Sequence, residues 1–420
     1  MNKTIAIIGL GYVGLPLAVE FGKQRDVIGF DINPSRINSL CDAIDTTNEV
    51  SSEELKSAQY LTFTTDENAL HDPSIYIVTV PSPVDINNRP DFKFIEAANQ
   101  MIAKYLVQGD IVIYESTVYP GATEEICVPT LEGVSGLKFN EDFFVGYSPE
   151  RINPGDNQHK LSSIVKLTSG SNEHVASEIN DLYAQIVDAG TFRCSSIRVA
   201  EAAKVIENTQ RDVNIALINE LAMLFNRLEL DTWEILRAAS TKWNFLNFSP
   251  GLVGGHCIGV DPYYLTHKAQ AVGFYPEMIL AGRRINDALP VYAAQQLVKL
   301  LCKAEIAPGS ASVLLLGCSF KEDCPDTRNS KVLDLIENLQ EYNIDTEICD
   351  PVVWSTGQQH FANHEIMEYP NETTYDAVII AVQHQVFATW GAETISKLSH
   401  SNIVFDLKKQ FPDRKDFYSL

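Results

Sequence analysis

The sequence predicts an α/β fold in which two doubly wound parallel sheets are joined by a long central helical region. Apolar β-branched runs alternate with helical stretches in the first part of the chain, and the alternation returns near its end. Between them, residues 196 to 240 show apolar residues at helical spacing and no strand signal. A length of 420 residues fits two or three domains, and we expect them at 1–195, 196–308 and 309–420.

The first domain opens with a strand, a glycine turn and a helix. We expect this helix over Gly11 to Lys23, and another that starts near Phe92 with Asp91 as its N-cap. The apolar runs predict strands at Thr4 to Gly9, Val27 to Phe30, Ile75 to Val80, Ile111 to Glu115 and Phe143 to Tyr147.

The middle of the chain predicts two long helices. Apolar residues from Val199 to Leu221 recur at helical spacing, which predicts one helix from Ile197 to Leu228. A second is expected from Ala281 to Glu305, before Pro308 and Gly309. Long helices of this kind often bridge domains and carry a dimer contact, so we expect a homodimer formed through the central helix.

The last part repeats the plan of the first. A helix is expected from Ser330 to Glu341, and strands at Ser312 to Leu316, Asp345 to Cys349, Ala377 to Val382 and Asn402 to Phe405. Their offsets from the first set of strands are similar, which indicates a second nucleotide-binding type of domain without a glycine motif. The alternative is that similar offsets between strands occur in any α/β chain.

Composition disfavours polyanionic partners and the membrane. Asp and Glu total 55 against 32 Lys and Arg, a formal charge of −23 that repels nucleic acid and anionic lipid. The eight cysteines are dispersed without a CxxC pair, as in a reduced cytoplasmic protein. No uninterrupted run reaches the ~20 apolar residues of a membrane span. We expect no metal, because the nine histidines are scattered.

A glycine motif follows the first strand. Gly9 permits a tight turn, Gly11 lets the backbone approach a pyrophosphate, and Gly14 lets the helix pack on the sheet. Asp31 ends the next strand, where its carboxylate would accept the ribose hydroxyls and repel a 2′-phosphate. NAD is therefore favoured over NADP, with Arg36 along the adenine or tempering that repulsion. The alternative is a Rossmann-like fold that has lost its ligand.

A second group of residues suggests covalent chemistry. Cys257 follows Gly254 and Gly255, which allow close approach to its sulfur, and Asp261 lies four residues further on. Free cysteines are more often buried filler than nucleophiles, and we interpret the other seven that way. On the long helix a polar stripe at helical spacing suits oxyanion stabilisation, although a solvated face is the simpler interpretation; it consists of Glu201, Lys204, Asn208 and Arg211.

Seven ordered motifs resemble the UDP-glucose/GDP-mannose dehydrogenase family over nearly the whole chain. They are GLGYVGLP at 9–16, VPSP at 80–83, ESTVYPG at 115–121, SPERINPGD at 148–156, EAAKVIENTQR at 201–211, GGHCIGVDPYYL at 254–265 and GCSFKEDCPDTRNS at 317–330. The resemblance implies an N-terminal NAD domain, a dimerising middle and a C-terminal UDP-binding domain. It also implies oxidation of a sugar carbon-6 alcohol to a carboxylate with two NAD.

The resemblance implies a role for each candidate residue. Cys257 would form a thiohemiacetal and then a thioester, Lys204 and Asn208 would stabilise oxyanions, and Asp261 would activate water with Thr117. Glu150 would be a second acid/base or water-positioning group. Cofactor contacts are expected from Gly9, Gly11, Tyr12, Val13, Gly14, Asp31, Arg36, Ser82, Thr117 and Arg328. Substrate contacts are expected from Glu150, Arg151, Ile152, Lys204, Asn208, Arg211, Lys242, Gly254 and Lys321.

Departures from the UDP-glucose pattern suggest the substrate. The SPE motif continues with Arg151-Ile152-Asn153-Pro154-Gly155 in place of FLREG, and Val260 replaces the lysine of CLPKD. Both changes resemble the branch acting on UDP-N-acetylhexosamines in capsule and O-antigen synthesis, and we prefer UDP-N-acetylglucosamine. The galacto and manno epimers and UDP-glucose stay open, as do a single-step hydroxyacid dehydrogenase and a non-catalytic NAD-binding protein.

Overall fold

The computed structural model describes residues 3–152, 160–256, 258–371 and 374–420. The chain packs as two units. The first consists of Met1–Glu207 and Tyr263–Phe274, and the second of Asn208–Pro262 and Tyr275–Leu420. The division falls within the long central helix, and the three domains expected from the sequence stay a prediction.

The first unit is built on an eight-stranded sheet of order β3-β2-β1-β4-β5-β6-β7-β8. All neighbouring strands are parallel except β6 and β7. The five expected strands are present; β3, β7 and β8 were not expected, because they are short or rich in polar residues. The strands are β1 (Ile5–Ile8), β2 (Val27–Phe30), β3 (Leu61–Thr64), β4 (Ile75–Val78), β5 (Ile111–Tyr114), β6 (Phe144–Tyr147), β7 (Lys166–Gly170) and β8 (Thr191–Arg193).

In the described residues, six α-helices separate these strands. The first begins at Gly14 and not at Gly11, because residues 11–13 form the turn of the glycine motif. The helix expected near Phe92 begins at Lys93 with Phe92 and not Asp91 as its N-cap, although Asp91 accepts the amide of Lys93 at 3.1 Å. The helices are α1 (Gly14–Gly22), α2 (Pro34–Cys41), α3 (Ser52–Ser57), α4 (Lys93–Ala103), α5 (Val128–Ser135) and α6 (Glu173–Tyr183).

The middle of the chain is helical, as expected. The long central helix α7 (Ile197–Arg227) agrees with the prediction to within one residue. Helix α10 (Glu277–Lys303) begins four residues earlier than expected and continues through Pro290. Among the described residues between them lie two shorter helices, α8 (Thr232–Ser240) and α9 (Asp261–Ala271). No helix of the described residues is long and apolar enough to cross a membrane.

The second unit contains a six-stranded sheet of order β11-β12-β10-β9-β13-β14, parallel except for the β11–β12 pair. Apolar residues of α10 and of the next helix pack on this sheet as one core. Its strands are β9 (Ser312–Leu316), β10 (Asp345–Cys349), β11 (His360–Phe361), β12 (His364–Met367), β13 (Tyr375–Ile380) and β14 (Ser399–Asp406). Its helices are α11 (Lys331–Gln340), α12 (Pro351–Trp354), α13 (Gln385–Trp390) and α14 (Ala392–Lys397).

The two sheets share a backbone plan at the carboxyl end of their first strands. Gly9 donates its amide to Phe30 at 2.8 Å, and Gly317 donates to Cys349 at 2.9 Å. The next amide in each case is bound by the aspartate that follows the neighbouring strand, Asp31 at 2.8 Å and Asp350 at 2.7 Å. The expected fold of two Rossmann-like sheets with a long central helix is therefore confirmed.

Candidate active site

The glycine motif forms a tight loop between β1 and α1. Gly9 has a φ of +96°, a conformation that favours glycine. A Cβ atom on Gly14 would lie 1.9 Å from the Gly9 carbonyl oxygen, whereas one on Gly11 would meet nothing within 4 Å. Gly14 is therefore required for helix–strand packing, and Gly11 leaves open space beside the loop.

The start of α1 is suited to a pyrophosphate. Val13 precedes the helix without a side-chain cap, and the first turn holds no acidic residue. The amides of this turn and the helix dipole therefore favour an anion. Tyr12 and Val13 are half-buried in the turn before the helix. The loop and the helix start are compatible with an NAD pyrophosphate, and the individual cofactor contacts stay a prediction.

Thr79 is a residue that the sequence analysis missed. It follows β4, and its hydroxyl donates to the Gly9 carbonyl at 2.6 Å. This bond ties the glycine loop to the neighbouring strand. A polar residue directly after a buried apolar strand was the available signal.

Asp31 and Arg36 both hold the glycine loop. Asp31 accepts the amides of Leu10 at 2.8 Å and Asn33 at 2.9 Å. Arg36 donates from Nε to the Leu10 carbonyl at 2.9 Å and from Nη1 to Asp45 at 2.7 Å. The two residues expected to contact the cofactor are therefore brought together at Leu10.

Two further expected cofactor contacts lie in loops after β4 and β5. Ser82 and Thr117 are half-buried. Their loops are joined by the Ser116 hydroxyl, which donates to the Val80 carbonyl at 2.6 Å. Both loops leave the carboxyl edge of the sheet, the edge from which the glycine loop also leaves. This is the edge where ligands bind in open α/β sheets.

The glutamate of the SPE motif belongs to a cluster of buried charged residues. Lys166 donates to Glu115 at 2.7 Å and to Glu150 at 3.2 Å, and the Tyr183 hydroxyl donates to the other oxygen of Glu115. Burial, opposed by the charge of Lys166, raises the pKa of Glu115 to about 7. Lys166 is buried too, but the two carboxylates raise the pKa of its ammonium group. Glu115 and Glu150 thus both bind the single ammonium group of Lys166 in the interior of the first unit.

Glu150 points into this cluster. One of its oxygens accepts the amides of Arg151 at 2.5 Å and Ile152 at 2.6 Å, and the other accepts Lys166. Arg151 pairs with Glu207 at 2.8 Å. The carboxylate therefore organises the start of the loop that carries the expected substrate contacts. Of the same loop, Asn153, Pro154 and Gly155 lie outside the described residues.

The polar stripe of α7 is mostly not a solvated face. Glu201 is fully buried and accepts the amides of Gly121 at 2.5 Å and Thr123 at 2.9 Å, and its burial raises the pKa of its carboxyl. Lys204 is also buried, at 7% exposure. Glu201 therefore anchors the segment after the ESTVYPG motif, a role that its spacing on the helix did not reveal.

In the second unit, Asn208 and Asp261 are brought together. The Asn208 amide donates to the Asp261 carboxylate at 2.6 Å, and Asp261 is 1% exposed. Arg211, the last member of the stripe, is exposed, and so is Lys242 after α8. Cys257 itself lies outside the described residues.

The segment before Cys257 is held closely. Gly255 has a φ of +83°, and a Cβ there would lie 2.5 Å from the Phe320 ring. Its amide donates to the Asn329 carbonyl at 3.1 Å. His256 lies 3.3 Å from Asp326. Although burial acts in the opposite direction, hydrogen bonds from His256 and Arg328 hold the pKa of Asp326 well below its usual range.

A small cleft opens at the carboxyl edge of the second sheet. Gly254 and Lys321, both expected to bind substrate, line it together with Lys331 and Lys408. Arg328 lies in the segment between Lys321 and Lys331 and pairs with Asp326 at 2.6 Å. Glu322 also lines the cleft, 3.7 Å from Lys408, and the excess of three lysines over one glutamate suits a phosphate-bearing ligand. Lys331 and Lys408 were not singled out in the sequence, although Lys408 follows a strand that was expected.

We expect Gly11→Ala and Gly14→Ala to separate binding from folding. An alanine at 11 has room and should change the free energy of unfolding by less than about 0.5 kcal/mol. Its methyl group would occupy the space for the pyrophosphate, so NADH should bind at least about tenfold more weakly. Gly14→Ala should destabilise the fold as well. Urea denaturation and NADH fluorescence titration measure both effects, and equal destabilisation by the two variants would contradict this account.

We expect Glu115→Gln to change how stability depends on pH. The Glu115 carboxyl titrates at about 7 in the fold against 4.5 ordinarily, so the folded protein binds more protons between these values. Wild-type stability should therefore fall as pH rises through this range, and the variant should gain about 1–3 kcal/mol relative to wild type from pH 5 to 8.

Urea denaturation at several pH values measures this difference. Glu141→Gln is the matched control, because Glu141 is exposed and pairs with Lys138 on the surface. It should shift stability by the same small amount at every pH. A pH-independent effect of Glu115→Gln would contradict the raised pKa.

Comparison with known proteins identifies the family. Residues 3–187, 198–288 and 314–413 match the NAD binding, central and UDP binding domains of the UDP-glucose/GDP-mannose dehydrogenase family. The chain is 57% identical over 405 residues to UDP-N-acetyl-D-glucosamine 6-dehydrogenase of Pseudomonas aeruginosa, which covers 96% of both chains. It is 53% identical over 411 residues to the protein of that name from Salmonella typhi, covering 97% of this chain and 96% of that one.

The fold agrees with this assignment. The structure of UDP-D-ManNAc dehydrogenase from Pyrococcus horikoshii superposes with a TM-score of 0.88 at 31% identity, covering 99% of this chain and 98% of that one. The chain thus belongs to the UDP-glucose/GDP-mannose dehydrogenase family and is an NAD-dependent nucleotide-sugar dehydrogenase, the class of oxidoreductase that its motifs predicted.

Proposed function

We propose that this enzyme oxidises carbon 6 of UDP-N-acetyl-D-glucosamine to the carboxylate, with two NAD reduced per sugar. The observation that carries this proposal is the full-length similarity, at 57% and 53% identity, to two proteins named for that activity. We also propose a place in the synthesis of a surface polysaccharide, either capsule or O-antigen; a 50% identical relative from Staphylococcus aureus is named Protein CapL. The dispersed cysteines favour the cytoplasm as its location.

The chemistry needs a covalent hold on the half-oxidised sugar. Overall, the alcohol, one water and two NAD give the carboxylate, two NADH and three protons. Bound NAD would supply the hydride acceptor, held by the glycine loop, the start of α1 and Asp31. Cys257 is assigned to bind the intermediate aldehyde carbon through sulfur, first as a thiohemiacetal and then as a thioester that water hydrolyses. The thiol is regenerated in the last step.

Three polar residues are assigned to assist the sulfur. Lys204 and Asn208 would stabilise the oxyanions, and the burial of Lys204 strengthens its field because little water screens it. Asp261 would activate the hydrolytic water. The hydrogen bond from Asn208 supports this role because it fixes the orientation of a nearly buried carboxylate.

For Glu150 the contacts favour positioning over proton transfer. Its carboxylate accepts two backbone amides and the Lys166 ammonium group, so both of its oxygens are bound to protein donors. A carboxylate held in this way orders the segment whose amides it accepts. We assign Glu150 to shaping the segment of Arg151 and Ile152, and Thr117 to the cofactor side of the site.

The cleft of the second unit is our proposed site for the UDP diphosphate. Lys321, Lys331 and Lys408 supply positive charge, and Gly254 lines the same cleft, where a Cβ atom would lie 2.4 Å from the Asn329 carbonyl oxygen. Lys331 forms ion pairs with Asp287 and Asp334. Although burial lowers the pKa of Lys331, these two carboxylates raise it above its usual value. It therefore stays charged near neutral pH. Arg211 and Lys242, both exposed, remain proposed substrate contacts.

We also propose a homodimer formed through α7. Leu217 and Leu224 are about half exposed and lie on one face of the helix, seven residues apart, and Leu228, also about half exposed, follows its last residue. A second copy of the same face would cover them. Sedimentation equilibrium should give a dimer, and Leu224→Glu should shift it toward monomer; a monomeric wild-type chain would contradict the proposal.

A panel of UDP-sugars tests the function. We expect the highest kcat/KM with UDP-N-acetylglucosamine, ahead of UDP-N-acetylgalactosamine, UDP-N-acetylmannosamine and UDP-glucose, and two NADH per uronic acid formed. The manno epimer is the second candidate, because the Pyrococcus horikoshii structure with the 0.88 TM-score bears that name. One NADH per product would indicate a single-step dehydrogenase. NADH binding without turnover on any sugar would indicate a non-catalytic protein.

Cys257→Ser is the control for the covalent step. The hydroxyl is a far weaker nucleophile near neutral pH, so turnover should fall by about 10²-fold or more while the sugar still binds. Near-normal turnover by this variant would rule out the thioester.

A further inference from the structure

The backbone of Leu10, inside the glycine motif, is held from both sides by charged residues. Its amide donates to Asp31 at 2.8 Å, and its carbonyl accepts Nε of Arg36 at 2.9 Å. Asp31 is the carboxylate to which the sequence assigns the choice of a free ribose hydroxyl over a 2′-phosphate. The position of this selecting loop therefore depends on an arginine as well as on Asp31.

Arg36 is the side chain that an NADP-dependent enzyme would use. An arginine shortly after the acidic position accommodates the 2′-phosphate in such enzymes. Here its guanidinium is committed elsewhere, with bonds to Leu10, to Asp45 at 2.7 Å, to Thr46 at 3.0 Å and to Thr47 at 3.4 Å. Only 9% of its side chain is exposed.

Asp45 is a buried anchor for that arginine. Its side chain is 1% exposed, and its oxygens accept the amides of Thr47, Glu49 and Val50 in addition to Arg36. Although burial opposes ionisation, these bonds lower the pKa of the Asp45 carboxyl, so it carries its charge at neutral pH. The loop of residues 45–50 is thus folded around the anion that fixes Arg36.

We propose that Asp45 is a cofactor-specificity residue, which keeps Arg36 on Leu10 and thereby denies a 2′-phosphate its cation. Discrimination against NADP then has two parts, namely repulsion by Asp31 and the commitment of Arg36 to Asp45. Moving Arg36 to a phosphate would leave Asp45 buried without its counter-charge, which is strongly unfavourable. If only one of these two effects is removed, the other still disfavours NADP. We therefore expect removal of both to change cofactor preference by more than the product of the two single changes.

A double-mutant cycle with Asp31→Asn and Asp45→Asn tests this. NADH and NADPH binding are measured by nicotinamide fluorescence, which needs no sugar and does not depend on the proposed substrate. Each single variant should lower the ratio of Kd for NADPH to Kd for NADH by about 3- to 10-fold. The double variant should lower it at least about tenfold more than the product of the two single effects.

Two further variants keep the test decisive. Adding Arg36→Met to the double variant should abolish the gain, because Arg36 is the cation that would take the phosphate. Asp42→Asn, on an exposed residue beside the same loop, is the matched control and should leave the ratio within about twofold of wild type.

The ratio also separates cofactor choice from general damage to the loop, which would weaken NADH and NADPH alike. A double variant equal to the product of the singles, or a gain that survives loss of Arg36, would overturn the proposal. If Asp45→Asn does not fold, Asp45→Ser replaces it. If neither variant folds, the proposal is also overturned, because Asp45 would then be required for the structure of the loop and not for cofactor specificity.

Discussion

The first unit depends on one close contact, the approach of Gly14 to the carbonyl of Gly9. With 1.9 Å between that oxygen and the place where a Cβ would lie, no other residue fits at 14 without moving α1 off the sheet. The contact brings the start of α1 to the carboxyl edge of β1, and Thr79 fixes it from β4. Every proposed cofactor contact in the first unit is placed relative to this loop, so a small shift there would displace the whole anion site.

The second unit has the same backbone arrangement after its first strand, but its aspartate at this position is used differently. Asp350 occupies the place of Asp31 and binds the equivalent amide, but it is fully buried. Its oxygens also cap α12 and meet His384 at 3.2 Å, so its carboxylate is surrounded by protein. A carboxylate used in this way cannot also receive a ribose. The second sheet instead places lysines at its edge, which is the simpler requirement for holding a diphosphate.

Sequence predicted what depends on local spacing and missed what depends on pairing across the fold. The glycine motif, five strands of the first sheet and α7 all have short periodic signatures, and they appear where expected. Lys166 and Glu115 are 51 residues apart, and no sequence motif at either residue indicates that the two are in contact. The link between Arg36 and Asp45 was missed because the sequence offers Arg36 an equally plausible role facing the ligand. Glu201 was placed correctly on its helix face, but only the fold reveals that its partners are backbone amides.

Buried carboxylates that collect backbone amides are a recurring device in both units, and they change how the acidic composition should be understood. Each accepts two or more amides from a loop near a proposed ligand; they are Asp45, Glu150, Glu201 and Asp350. A loop has unsatisfied amides because it lacks a ladder partner, and an ionised carboxylate satisfies several at once with strong bonds. Part of the formal charge of −23 therefore lies in the interior, where it orders loops, and does not contribute to a field at the surface. The anionic ligands of this family can then bind near acidic residues, because those charges are already neutralised by the amides and cations that they hold.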